Sequence, residues 1–193
     1  MANWAYTAYV IEGPKDTLNK IYSAIKTHTV REGSDEWWEG NILDALDSSW
    51  EDLKDEGEAL YMRGFIEDFN LEDNTLHINA TEAYGLTHFH VALEHIFKDI
   101  KVYWIVEGNE DEIYCTNDKE GKYFSERYYV DVSIDGKDEI EYFSTREEVY
   151  KWLSTFSDGE IKSKEDAEAY NRKHEDLGDE YDNYVHIYEY TVV

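Results

Sequence analysis

Apolar and polar residues alternate through Leu76, Ile78 and Ala80, a period of two that predicts a strand with one buried face. Thr87 then opens a helix whose Phe89, Leu93, Ile96 and Phe97 form one stripe, and the continuous apolar run at 102–106, VYWIV, predicts a strand covered on both faces or flanked on both edges. Gly108 ends it. Earlier in the chain, residues 6–11 read as a strand and Gly13-Pro14 as the entry to a helix, since proline suits a first helical turn. Leu18, Ile21, Tyr22 and Ile25 follow at the spacing of one buried helical face. Ser34 can cap a second helix in which Leu43, Leu46, Trp50 and Leu53 repeat that geometry until Gly57. Residues 60–69 and 75–80 form a hairpin around Glu72-Asp73-Asn74.

This order, strand, helix, inserted helix, hairpin, helix, strand, predicts an α+β fold: a ferredoxin-like βαββαβ sandwich over residues 3–108 with an acidic helical insertion at 30–59. In the usual 4-1-3-2 strand order the VYWIV strand lies at a sheet edge. So apolar an edge invites aggregation, and residues 109–193 are therefore expected to cover it or extend the sheet as a β/α extension. Short strands are predicted at 112–115, 128–134 and 140–143, with Asp135-Gly136 as a tight hairpin turn. Thr145 and Glu148 form a capping box for a helix carrying Val149, Trp152, Leu153 and Phe156. Ser163 and Asp166 start a more polar helix, and residues 184–193 close the chain as a strand. One domain over 1–193 is expected, against the alternative of a separate carboxy-terminal domain from Asn109.

Charge changes the picture more than composition does. Forty-five Asp and Glu against 18 Lys and Arg give a formal charge of -27, which repels nucleic acid and anionic membranes, so direct binding to either is not expected. A single cysteine, Cys115, makes no internal disulfide or cysteine metal cluster, and neither a signal-peptide pattern nor a membrane-length run appears. A cytoplasmic protein without a cofactor is the expectation; the pattern does not set an oligomeric state.

The opening MANW, the segment IEGPKDTLNKIYSAI, the helix THFHVALEHI and the run IVEGNEDEIYCTND resemble the YubB-type ferredoxin-like proteins of phages, plasmids and bacterial genomes, over most of residues 1–134. The resemblance implies that fold and a mobile-element setting, and carries no established activity. Ala5-Tyr6 and Ala83-Tyr84-Gly85 depart from the family pattern, so no ligand site is carried over from it.

Candidate chemistry is sparse. His88, His90 and His95 share a helix, but His88 and His90 point to nearly opposite sides and His88 and His95 stand about 10 Å apart along the axis. A zinc site needs three or four converging ligands, so none is expected. Glu82 and Glu107, with Asn3, are expected at one end of the sheet. Strands separated by one neighbour lie roughly 9.6 Å apart, too far for these carboxylates to share a proton readily; an enzyme using them is the alternative reading. Adjacent Trp37 and Trp38 cannot face one core direction, which makes one of them a candidate binding anchor. The densest acidic stretch holds Glu36, Glu39, Asp44, Asp47, Glu51, Asp52, Asp55 and Glu56 against Lys54 alone. Carboxylates at i and i+4 on a helix rise about 6 Å apart, comparable to a row of phosphates. The function expected is a non-enzymatic acidic accessory protein engaging a basic protein surface, in its sharpest form a nucleic-acid mimic. The plain alternative is charge that serves solubility alone.

Overall fold

The computed structural model describes residues 3–28, 38–55, 57–108, 112–174 and 183–193, and the chain divides into two compact units, Met1–Lys119 with Val192–Val193 and Glu120–Thr191. In the first unit, β1 (Trp4–Glu12) leads through Pro14 into α1 (Lys15–His28), which buries Leu18, Ile21, Ala24 and Ile25. α2 (Glu39–Asp47), a 3-10 turn (Ser48–Asp52) and the short pair β2 (Lys54–Asp55) and β3 (Glu58–Ala59) follow. Next come the hairpin β4 (Gly64–Glu72) and β5 (Thr75–Ala83), then α3 (Phe89–Ile96), β6 (Lys101–Gly108) and β7 (Ile113–Thr116). With β11 (Thr191–Val192), these strands build a six-stranded sheet in the order β11-β7-β6-β1-β5-β4.

Two expectations about this unit change. The single helix from Ser34 to Gly57 is instead a short helix, because Asp47 adopts an extended conformation and its carboxylate accepts the Ser49 N–H at 2.9 Å. Asp and Ser compete with the helical backbone in this way, and the run Asp47-Ser48-Ser49 ends the helix. Ser34 lies outside the described residues. The hairpin is longer and tighter than expected, turning at Asp73-Asn74 with Asp73 at φ 47°, so that β5 runs on to Ala83 and carries Glu82 inside the strand.

β6 is buried from Val102 to Val106 and sits between β1 and β7, so this apolar strand is not left at an edge. The core beneath the sheet comes from Tyr9, Ile11, Leu76, Ile78, Ala80 and Val106, with Ile42 and Leu43 of α2 and Phe89 and Leu93 of α3.

The second unit has its own sheet, which corrects the expectation that all later strands extend the first one. β8 (Tyr128–Ile134), β9 (Lys137–Phe143) and β10 (Tyr184–Glu189) pair in the order β10-β8-β9. Asp135 and Gly136 turn the β8–β9 hairpin at φ 53° and 75°, the left-handed pair that a type I′ turn requires. α4 (Arg146–Phe156) begins at the Thr145–Glu148 capping box, and α5 (Lys164–His174) begins where Ser163 Oγ accepts the Asp166 N–H. Val130, Val132, Val149, Leu153, Ile161, Ala167 and Tyr170 form this unit's separate core.

Candidate functional site

The most concentrated polar chemistry lies inside the first unit. In β1 the odd positions face the core, which turns Thr7 and Tyr9 inward; in β5 the even positions do, and Glu82 continues the inward series of Leu76, Ile78 and Ala80. Thr87 stands just before α3. Glu39 opens α2, where Ile42 and Leu43, three and four residues on, fix its face as the buried one. Gly64 on β4 makes the room: a Cβ there would fall inside the Glu39 carboxyl group. Thr7, Glu39 and Glu82 are all 0% exposed, and Tyr9 and Thr87 are 1% exposed.

Glu82 accepts four hydrogen bonds. The hydroxyls of Thr7 and Thr87 donate at 2.6 and 2.8 Å, the Thr87 N–H at 3.2 Å, and the Tyr9 hydroxyl makes the fourth. An ionised carboxylate has about four lone-pair positions and no donor, so this set of partners fits the charged form. The Thr87 hydroxyl also lies 2.8 Å from Glu39 Oε2, placing it between the two carboxyls. Burial first, then the charge of Glu82 and a hydrogen bond to it, hold the Glu39 carboxyl well above the usual range, against the lowering effect of Thr87. The Glu39 carboxyl thus keeps its proton beyond the ordinary carboxylate range, beside a Glu82 carboxyl that four donors surround. Tyr9 is likewise pushed up, by burial and then by Glu82.

His90 supplies no counter-charge. Its half-buried ring packs at 5.6 Å from Trp104, and burial lowers its pKa against the opposing pull of Glu82 and Glu94. Among the described residues, the groups hydrogen-bonded to Glu82 are four neutral donors. Chemically the cluster can hold and share a proton. With every member sealed from solvent, it has no surface on which to meet a substrate.

This geometry redraws the expected sites. Glu82 pairs with Ala5 of β1 and Glu107 with Tyr6, the next residue along, so the two carboxylates project from opposite faces of the sheet. They form no pocket together. Glu39, expected on the acidic surface, is in the core because its helix turns that position inward. Asp44 and Asp47 are exposed, the first accepting the Trp50 indole N–H at 2.7 Å and the second capping the 3-10 turn, which holds it below the usual carboxylate range. Glu51 and Asp52 are exposed on that turn. Glu36, Trp37 and Glu56 lie outside the described residues, and of Asp55 only the backbone in β2 is described.

Trp38 is half-buried, bridging Phe65 through its backbone and packing edge-on against that ring at 5.3 Å, so it is built into the unit and not displayed as an anchor. The helix histidines do not converge: His88 Nδ1 accepts the Tyr61 N–H, His90 lies on Trp104 and His95 is exposed. Among the described residues, no three His, Cys, Asp or Glu side chains come together in an arrangement that could hold a metal ion.

The Glu39–Glu82 pair was missed from the sequence, although its signals were there: the inward parity of Glu82, and Glu39 one turn before two apolar residues. What the sequence did not offer was the closeness of the two, which depends on α2 crossing Gly64. Comparison with family models, curated proteins and solved structures finds no match to this chain.

Proposed function

We propose that the chain is a non-enzymatic, acidic accessory protein of a phage, plasmid or other mobile element that engages a basic surface on another protein. The observation that carries this reading is the division of its acids. The Glu39–Glu82 carboxyl pair is sealed in the core, while Asp44, Asp47, Glu51, Asp52 and Glu58 are exposed along a short stretch whose only cation in the sequence is Lys54. Both units are acidic, with 25 Asp and Glu against 9 Lys and Arg in residues 1–119 and 20 against 9 in residues 120–193. Opposite charge steers such a protein toward a cationic partner. The β6-β1-β5-β4 order, with α1 between β1 and β4 in sequence and α3 between β5 and β6, supports reading the first unit as ferredoxin-like, in keeping with the YubB-type resemblance.

A pull-down from host lysate at low and moderate salt tests the proposal. The comparison chain carries Asp44→Asn, Asp47→Asn, Glu51→Gln and Asp52→Gln, with Glu39 left intact because it is buried. Proteins retained by the natural chain at low salt should be retained about tenfold less by this variant. They should also be released from the natural chain by moderate salt, where screening lengths shrink to about 8 Å. Equal retention by both chains would remove this stretch as the recognition surface and leave solubility as the role of the charge.

A further inference from the structure

The two edges of the three-stranded sheet are finished differently. At β10 the outward backbone of Val185 is already occupied: its N–H donates to Asn171 Oδ1 at 2.8 Å, and its carbonyl accepts from Asn171 Nδ2 at 2.8 Å. One side-chain amide thus makes the pair of bonds that a neighbouring strand would make, and closes that edge at Val185. β9 is the terminal strand on the opposite side, and every side chain from Lys137 to Tyr142 is exposed, with Ile140 at 52% and Tyr142 at 44%. A seven-residue terminal strand with exposed apolar side chains is a template for pairing with another chain.

Charge selects what can pair there. Asp138, Ile140 and Tyr142 lie on one face of β9, opposite Ser133, Asp131 and Tyr129, whereas Glu139 and Glu141 lie on the other. A second copy of this strand would set acids against acids, which destabilises a ladder; a segment bearing Lys or Arg would meet carboxylates on both faces. At the carboxy-terminal end of β9, a groove of about 490 Å³ is lined by Tyr142, Phe143, Glu148, Lys151, Trp152 and Thr155. Trp152 gives it an apolar wall, set between the rings of Phe143 and Phe156 at 5.6 and 4.9 Å.

We propose that β9 is a docking edge that takes an extended, Lys- or Arg-bearing segment of a partner protein by strand addition, with an apolar side chain of that segment seated in the Trp152 groove. Main-chain hydrogen bonds supply affinity in such a mode, and the groove and the flanking carboxylates supply selectivity. The cationic character of the segment rests on the acidic-binder reading above; the open edge and the groove do not.

The test uses the full chain and a synthetic peptide in which Lys alternates with Val around a single Trp, with binding read by fluorescence anisotropy at low salt. Two N-methylated versions, methylated at every second residue in either phase, keep the charge and side chains and remove the N–H donors from one strand edge each. One phase is expected to lose at least about tenfold in affinity and the other to bind like the parent, because only one edge of an added strand faces β9. The exposed Glu139→Lys, Glu141→Lys double variant should bind the parent peptide at least about tenfold more weakly with an unchanged melting temperature. If both methylated peptides bind like the parent, strand addition is overturned and a purely electrostatic acidic binder remains. No binding by the parent peptide also overturns this proposal, while the broader reading is decided separately by the α2 and 3-10 turn variants.

Discussion

Glu82→Ala is expected to lower the unfolding free energy by about 3–5 kcal/mol, read from urea melts at pH 7. The substitution removes one carboxylate, but its cost comes from what stays behind. The hydroxyls of Thr7, Tyr9 and Thr87 and the Thr87 N–H all point at Glu82; in the variant the Thr87 hydroxyl keeps Glu39 as a partner, while the other three are buried donors facing a cavity. An orphaned buried donor costs about 1–3 kcal/mol where neither water nor another acceptor replaces the lost partner. Glu82→Gln restores the volume but turns an NH₂ group toward some of those donors, so it should recover only part of the loss. Glu107→Ala, one row away on the opposite face, is the internal control and should cost no more than about 1 kcal/mol. Equal losses for Glu82→Ala and Glu107→Ala would mean that the carboxylate is not held as the four contacts require.

The same residue marks where local reasoning stopped. The alternation of Leu76, Ile78 and Ala80 was legible, and so were the stripes of α1, α3 and α4, because those patterns depend on near neighbours in the chain. Carrying the alternation two residues further would have put Glu82 in the core. The general rule that ionised side chains sit at solvated strand ends pulled the other way. Its exception became visible only with the donors in place, and they come from β1 and from the entry to α3, up to 75 residues distant. Glu39 was obscured by composition. In a stretch so rich in acids it read as one more surface charge, and only the register of α2 over Gly64 separates it from Asp44 and Asp47. The division into two sheets was out of reach for a related reason: the Asp135-Gly136 turn pairs β8 with β9, but nothing in the sequence says whether that hairpin joins the first sheet or builds another with β10. The break at Asp47 is legible in principle, since Asp-Ser-Ser favours caps over helix interiors, but the apolar spacing of Leu43, Leu46 and Trp50 points the other way.

Above the normal carboxylate range, stability is expected to fall as pH rises, and Glu39→Gln should remove that fall. Folding raises the affinity of Glu39 for its proton, through burial and then through the charge of Glu82. An unfolded glutamate releases its proton near pH 4.3, so above that pH the folded chain binds more protons than the unfolded one. Stability then declines with pH by up to about 1.4 kcal/mol per unit, starting near the unfolded value and ending once pH has passed the raised value in the fold. The contribution is complete below the unfolded value and is lost across that window. His90 has the opposite sign, because burial lowers its pKa and the fold gains stability as pH climbs through the unfolded histidine range. Tyr9 is pushed upward and stays neutral throughout the window. Comparing the natural chain with Glu39→Gln at each pH cancels His90 and the many surface acids, since both chains share them. Glutamine mimics the neutral carboxyl, so the two chains should have similar stability near pH 5. The variant should gain on the natural chain as pH rises from the unfolded value to the raised one in the fold, because only the natural residue must then either give up its proton beside Glu82 or keep it against the solvent. Parallel curves across that range would mean that Glu39 holds no proton beyond the ordinary carboxylate range.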